Sequence, residues 1–266
     1  MTDEIAATDT SMILKRRFKT LNALLIRELM VRFGHNNIGF LWLVGEPLIL
    51  TVGVMIVWSF IYGRENHGVP ILPLVLTGYS MLTVWRHMVS RFVHCFRHNS
   101  GLFFHRRIRP FDMLVARGLL ELVGTLIAFF VAYIPLALLE VIAPVHDYLI
   151  MLTAWFLMCA FTFGVGLIIA SLTEMSETLE RFVQPVMYLL LPLTGSFYMV
   201  AWLPSTAQKV VLWSPLVHAS EMFRGGYFGA TVPTTWDASY LAVWAVVVNA
   251  VGLAMIRKAQ NHIEVQ

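Results

Sequence analysis

The sequence predicts an all-α polytopic membrane protein: six transmembrane helices, an amphipathic interfacial helix at the N-terminus, and short external re-entrant helices before the last span. Three observations lead there. Of 266 residues, 58% are hydrophobic and only 13% charged, and the mean hydropathy of +0.71 lies far from the balance of soluble domains. Six stretches are long and apolar enough to span a hydrocarbon core of about 30 Å, which takes roughly 20 residues of helix. The cations gather at the ends of those stretches instead of forming a tail. A net charge of +3 placed in this way does not point to nucleic acid.

Taken in order, residues 1–43 read as a cytoplasmic N-terminus, 44–256 as the membrane domain and 257–266 as a cytoplasmic tail. Leu14, Phe18, Leu21, Leu25 and Leu29 recur at helical spacing and form one stripe, with Lys15, Arg16, Lys19 and Arg27 on the other side. Met12–Val31 is therefore expected along the inner membrane surface, with packing on the protein's own base as the alternative. The polar start and the interruptions at Asn22, Arg27 and Glu28, without a small-residue cleavage pattern, do not suggest a removable signal peptide. Gly34, Asn36, Asn37 and Gly39 then break the pattern before Phe40-Leu41-Trp42 turns the chain into the bilayer.

The expected spans are Val44–Tyr62, Pro70–Val89, Leu114–Leu139, Tyr148–Ser171, Phe182–Ala201 and Trp236–Ile256. An even count puts both termini on one side. If that side is cytoplasmic, Arg64, Lys209 and Arg224 are left outside and most other cations lie inside, as the positive-inside rule favours. Gly63–Val69 is short enough to make spans one and two a hairpin. Arg86, His87, Arg91, His94, Arg97 and His98 follow at the inner end of span two, where long side chains snorkel. His94 and His98 are spaced for a shared metal, but no carboxylate pattern supports one, and the interfacial reading is preferred. His87, Arg91 and His94 share a face that suits an anion path or an interfacial stripe equally well.

In span three, Arg117 and Glu121 are one turn apart and expected to pair, as packing or as a switch. Ala160, Gly164, Gly166 and Ala170 offer close-packing surfaces in span four. Thr173–Arg181, with Glu174, Glu177 and Glu180, reads as a solvated inner turn in which Glu177 can pair with Arg181. Pro185, Pro192 and Gly195 predict bends in span five. The external segment 202–235 alternates apolar anchors such as Trp202 and Trp213 with turn residues, which suits short helices dipping back toward the membrane. Within it, Glu221 and Arg224 are expected to pair and Gly225-Gly226 to reverse the chain. Cys95 and Cys159 fall in different environments and read as free thiols.

Between spans two and three lies the basic loop His94–Met113, with Arg97, Arg106, Arg107 and Arg109 against the single acid Asp112. The chain has no G-x-x-x-x-G-K-[ST] phosphate loop, no His-Glu-x-x-His and no Gly-x-Ser-x-Gly. A transport subunit fits better than an enzyme, and any energy must come from a partner or an ion gradient.

Three stretches carry a resemblance. They are Ile26-Arg27-Glu28-Leu29 with Ile38-Gly39-Phe40-Leu41-Trp42 to Pro47; Asn99-Ser100-Gly101-Leu102-Phe103 to Ile108-Arg109-Pro110-Phe111-Asp112; and Ser214-Pro215-Leu216-Val217-His218 with Glu221-Met222-Phe223-Arg224-Gly225-Gly226. Together they resemble the membrane subunits of ABC-2-type exporters, most closely the capsular-polysaccharide export permeases. Glu46 beside Pro47, and Ser214 where asparagine is common, depart from the family pattern. The resemblance implies a homodimer in the bacterial inner membrane, working with two ATP-binding subunits that hold ATP and Mg while this chain holds no cofactor. It also implies a lipid-linked, often acidic polysaccharide as cargo, and a periplasmic adaptor leading to an outer-membrane pore.

On this resemblance Asn99, Leu102, Phe103, Arg106, Arg107, Ile108, Pro110 and Phe111 are expected to contact the ATPase. Pro215, His218, Glu221 and Arg224 would belong to the external re-entrant segment. Aromatic groups suit sugar faces, so Trp58, Tyr62, Tyr188 and Tyr198 are candidates for the translocation path, with interfacial anchoring as the alternative. Arg86 and Arg91 are candidates to attract an acidic polymer, against ordinary positive-inside placement. Other readings are export of O-antigen or of a small hydrophobic molecule, or a membrane anchor that recruits a soluble partner.

Overall fold

A computed structural model describes residues 2–33, 37–93, 95–96 and 109–263. Among these, nine α-helices run in the order α1 (Thr2–Phe33), α2 (Asn37–Tyr62), α3 (Ile71–Val93), α4 (Pro110–Leu138), α5 (Tyr148–Met175), α6 (Glu177–Leu189), α7 (Ser205–Val211), α8 (Pro215–Phe228) and α9 (Ala238–Ile263). The segments Leu41–Tyr62, Pro110–Leu138, Tyr148–Met175 and Ala238–Ala259 are long and apolar enough to cross a membrane. The chain is an all-α membrane protein, with one hairpin of two-residue strands among the described residues.

Helix α3 sits at the centre and touches α2, α4, α5, α6 and α8. It is less apolar than the four long segments, yet nearly all of it is buried in protein. Its Thr77, Ser80 and Thr83 hydroxyls donate to the carbonyls of Pro73, Leu76 and Tyr79 at 2.7, 2.7 and 2.8 Å, so they demand nothing from neighbours. The hairpin before it pairs Glu65 with Pro70 and Asn66 with Val69. Its turn residues His67 (φ 53°) and Gly68 (φ 75°) are both left-handed, as a tight two-residue connection requires.

Close packing occurs where the small residues of span four predict it. A Cβ on Gly164 would lie 2.7 Å from the Asn249 backbone nitrogen, and one on Gly166 would strike Phe92 at 2.5 Å. The Asn249 amide donates to Ala160 O at 2.7 Å, adding a polar tie between α5 and α9. Cys95 and Cys159 are both buried and not joined in a disulfide.

Several expectations are corrected. The fifth stretch is not one helix: α6 stops at Leu189, a 3-10 turn follows at Leu191–Thr194, and another at Val200–Trp202. Pro192 has no N–H to donate, and Gly195 adopts the left-handed conformation (φ 68°) that ends the turn. The inner turn Thr173–Arg181 shrinks to Ser176, the one extended residue between α5 and α6. Gly225 and Gly226 do not reverse the chain. They lie inside α8, where Gly226 lets the Met151 backbone approach, and the turn comes at Gly229 (φ 60°).

Helix α2 begins at Asn37, so Asn37 and Gly39 are helical and do not interrupt a pattern. Pro110 and Phe111, expected in the basic loop, form the first turn of α4, where a proline costs no hydrogen bond. Helix α1 packs on α4 and α2, burying Leu24 and Glu28, while Phe18 of the expected stripe is 73% exposed.

Candidate functional site

Charged groups from four helices converge at one level of the bundle. Arg91 of α3 lies between two carboxylates, 3.4 Å from Glu46 Oε2 on α2 and 3.5 Å from Glu121 Oε1 on α4. His87, one turn earlier, faces the same two acids, with Nδ1 3.5 Å from Glu121 Oε2 and Nε2 3.9 Å from Glu46 Oε1. Arg117 of α4 pairs with Glu28 of α1 at 2.8 Å and donates from Nη1 to Arg91 O at 2.8 Å. The i,i+4 expectation for Arg117 and Glu121 therefore gives way to cross-helix partners for each. Glu28 and Glu121 are buried and Arg117 is partly buried, and a charge taken out of water persists only when it is paired in this manner.

Beside this node, a cleft of about 160 Å³ opens between α2, α3 and α6. Arg86 lies over the ring of Tyr188 with its guanidinium carbon 5.7 Å from the centroid, within cation–π range, so the structure brings these two path candidates together. Trp58 and Tyr62 form a separate cluster, 5.2 Å apart, with Trp58 also 6.0 Å from Phe197. The Tyr198 hydroxyl donates to Pro192 O at 2.7 Å, and Arg91 is engaged in the node. Of the proposed ATPase contacts, Asn99, Leu102, Phe103, Arg106, Arg107 and Ile108 lie outside the described residues. Phe111 turns its ring edge-on to Phe163 of α5 at 6.3 Å.

The break after α6 exposes backbone groups that lipid would leave unsatisfied, and α8 supplies their partners. Arg224, fully buried, donates to Gly195 O at 2.7 Å, Ser196 O at 2.6 Å and Tyr198 O at 2.6 Å. Glu221 accepts from Val200 N at 3.2 Å and Thr235 N at 3.0 Å, with Arg224 Nη1 3.8 Å from its Oε1, so the expected pair forms. Burial pushes the Glu221 carboxyl up and the Arg224 guanidinium down to about 10, and each charge opposes the other's shift.

His218 accepts from Asp237 N at Nδ1 (2.9 Å), which leaves Nε2–H to donate to Leu212 O at 2.8 Å. Ser220 and Ser214 donate to Thr194 O and Leu193 O, both at 2.7 Å. Pro215 starts α8, as proline at a first helical position does. A Cβ at Gly78 of α3 would collide with Ser196 O and Arg224, so that glycine makes room for the clamp.

The profile of the ABC-2 type transporter family matches residues 19–228. The chain belongs to that family. Members of the ABC-2 type transporter family are membrane permeases without an ATPase site of their own. The chain is also similar to the capsule polysaccharide export inner-membrane protein BexB of Haemophilus influenzae, at 37% identity over 93% of this chain and 94% of the relative. It is 37% identical to the capsule polysaccharide export inner-membrane protein CtrC of Neisseria meningitidis serogroup B, over 96% of each. The polysialic acid transport protein KpsM of Escherichia coli is 28% identical over 91% of this chain and 94% of that one.

Within this ABC-2 chain, sequence reasoning missed the roles of Glu28, Glu46 and Arg224. The signal for Arg224 was present: a helix broken by Pro192 and Gly195 needs outside donors for its carbonyls, and Arg224 is one of two cations, with Lys209, in the segment that follows. No sequence spacing foretold the node, because its partners are far apart in the chain.

Proposed function

We propose that this chain is the membrane-spanning permease subunit of an ATP-driven transporter that exports lipid-linked, acidic capsular polysaccharide across the bacterial inner membrane. The observation that carries this reading is the end-to-end similarity to proteins named for capsule polysaccharide export, over more than nine-tenths of each chain. The subunit acts as a homodimer with two ATP-binding subunits, which bind ATP and Mg, and passes its cargo to a periplasmic adaptor and an outer-membrane pore.

In the membrane it forms six spans with both termini cytoplasmic, α1 at the inner interface and α7 and α8 re-entrant from outside. Helix α3 serves as a span despite its modest hydropathy because protein surrounds it, and α6 with the clamped segment after it serves as the fifth. ATP binding closes the two ATPases against residues 99–110, and the push enters α3 and α4, which precede and follow them in the chain. The ionic node links those helices to α1 and α2, so the push is passed on to them.

Reconstitution with the candidate ATPase and lipid-linked polysaccharide tests the cargo: ATP addition is expected to move the polymer across the bilayer. Competent hydrolysis without polymer movement rules the cargo out. For the coupling contact, Arg106→Glu with Arg107→Glu is expected to leave insertion intact and to lower ATPase association about tenfold, the loss of one to two charge-assisted contacts. Unchanged association in a pull-down removes both residues from the proposal.

A further inference from the structure

We infer that the cleft between α2, α3 and α6 binds the phosphate-bearing headgroup of an inner-leaflet lipid. Its lining offers a surplus of unused donors. Among the described residues the Arg86 guanidinium has no carboxylate within ion-pair distance, and Ser90 and Gln184 make no hydrogen bond. The one acid in the cleft, Glu46, is already held by Arg91 at 3.4 Å and faces His87 at 3.9 Å. What remains is a guanidinium, an amide and a hydroxyl around a space of about 160 Å³, which suits a compact oxyanion and not a length of polymer.

The surroundings point to an amphiphile over a free anion. Leu50 lines the mouth from α2 and is 43% exposed, and Val57 and Ile61 on the same face of α2, at 54% and 65% exposure, continue the apolar flank. Headgroup oxygens meet Arg86 while acyl chains run along that flank, the division a phospholipid itself has. Inner-leaflet placement follows from the orientation proposed above. The binding itself does not depend on the cargo or on ATP.

The test uses the full-length chain, stripped of lipid in detergent, with dioleoyl phosphatidic acid and with dioleoylglycerol, which share both tails and differ by the phosphate. Native mass spectrometry counts the retained lipid. Phosphatidic acid is expected to be retained about tenfold better, and Arg86→Gln to bring it down to the dioleoylglycerol level. Gln184→Ala, at an exposed position, is expected to weaken retention about threefold and serves if Arg86→Gln does not fold. Equal retention of the two amphiphiles, or retention unchanged by both substitutions, overturns the inference. Glycerol 3-phosphate separates the sources: failure to displace phosphatidic acid supports a lipid site, and displacement at equal concentration overturns the lipid assignment in favour of free phosphate. Neither polysaccharide nor ATPase enters the measurement, so its failure leaves the transport reading standing and the reverse also holds.

Discussion

The ionic node and the Arg224 clamp both bury charge, but they use it for opposite ends. In the node, side chains on α1, α2, α3 and α4 pair with one another, and each acid faces cations from another helix. In the clamp, Arg224 and Glu221 spend their hydrogen bonds on backbone groups of the broken segment after α6. Side-chain pairs can exchange partners when helices shift. Backbone carbonyls freed by a proline and a glycine have no other donor, so the clamp is fixed. The comparison separates a place where the bundle can re-register from one where it cannot.

The largest effect is expected at the clamp. Arg224→Met leaves three carbonyls without their donor and the Glu221 charge without its partner, a loss of about 4 kcal/mol or more. The measurement is thermal unfolding in detergent together with the yield of monodisperse protein. A variant as stable as the parent would show that water or lipid can replace the guanidinium.

The node should show an intermediate effect with a different signature. Glu28→Arg and Arg117→Glu are each expected to cost about 3 kcal/mol, and the double exchange to recover roughly half, since it restores the pair but not the Arg117 bond to Arg91 O. Additive losses in the double variant would break the contrast drawn here, because the pair would then be no more exchangeable than the clamp.

The smallest effect belongs to Glu46→Gln. Its side chain and that of Arg91 are 38% and 39% exposed, and screened pairs of this kind contribute under about 1 kcal/mol. Its removal also leaves Glu121 facing both Arg91 and His87. A loss as large as that of Arg224→Met would place Glu46 among the obligatory partners and erase the distinction.

Much of the architecture was legible because lipid enforces simple rules. Apolar length marked α2, α4, α5 and α9, and glycine spacing on α5 marked its contacts with α9 and α3. The bends expected from Pro192 and Gly195 are present, though as a full break. The i,i+3 pair of Glu221 and Arg224 was readable because helix geometry alone puts those side chains together. The pairing of Arg117 misled for the same reason: local spacing offers Glu121, and only the approach of α1 offers Glu28.

By itself the sequence determined that this is a helical membrane chain, where its four long apolar helices lie, and which family it resembles, since hydropathy and motif spacing are properties of consecutive residues. Only the tertiary structure decided that α3 is the central buried helix, that Arg86 meets Tyr188 in a cleft, and that Arg224 closes the broken segment. Those contacts join residues distant along the chain, and their energies depend on which helices lie side by side.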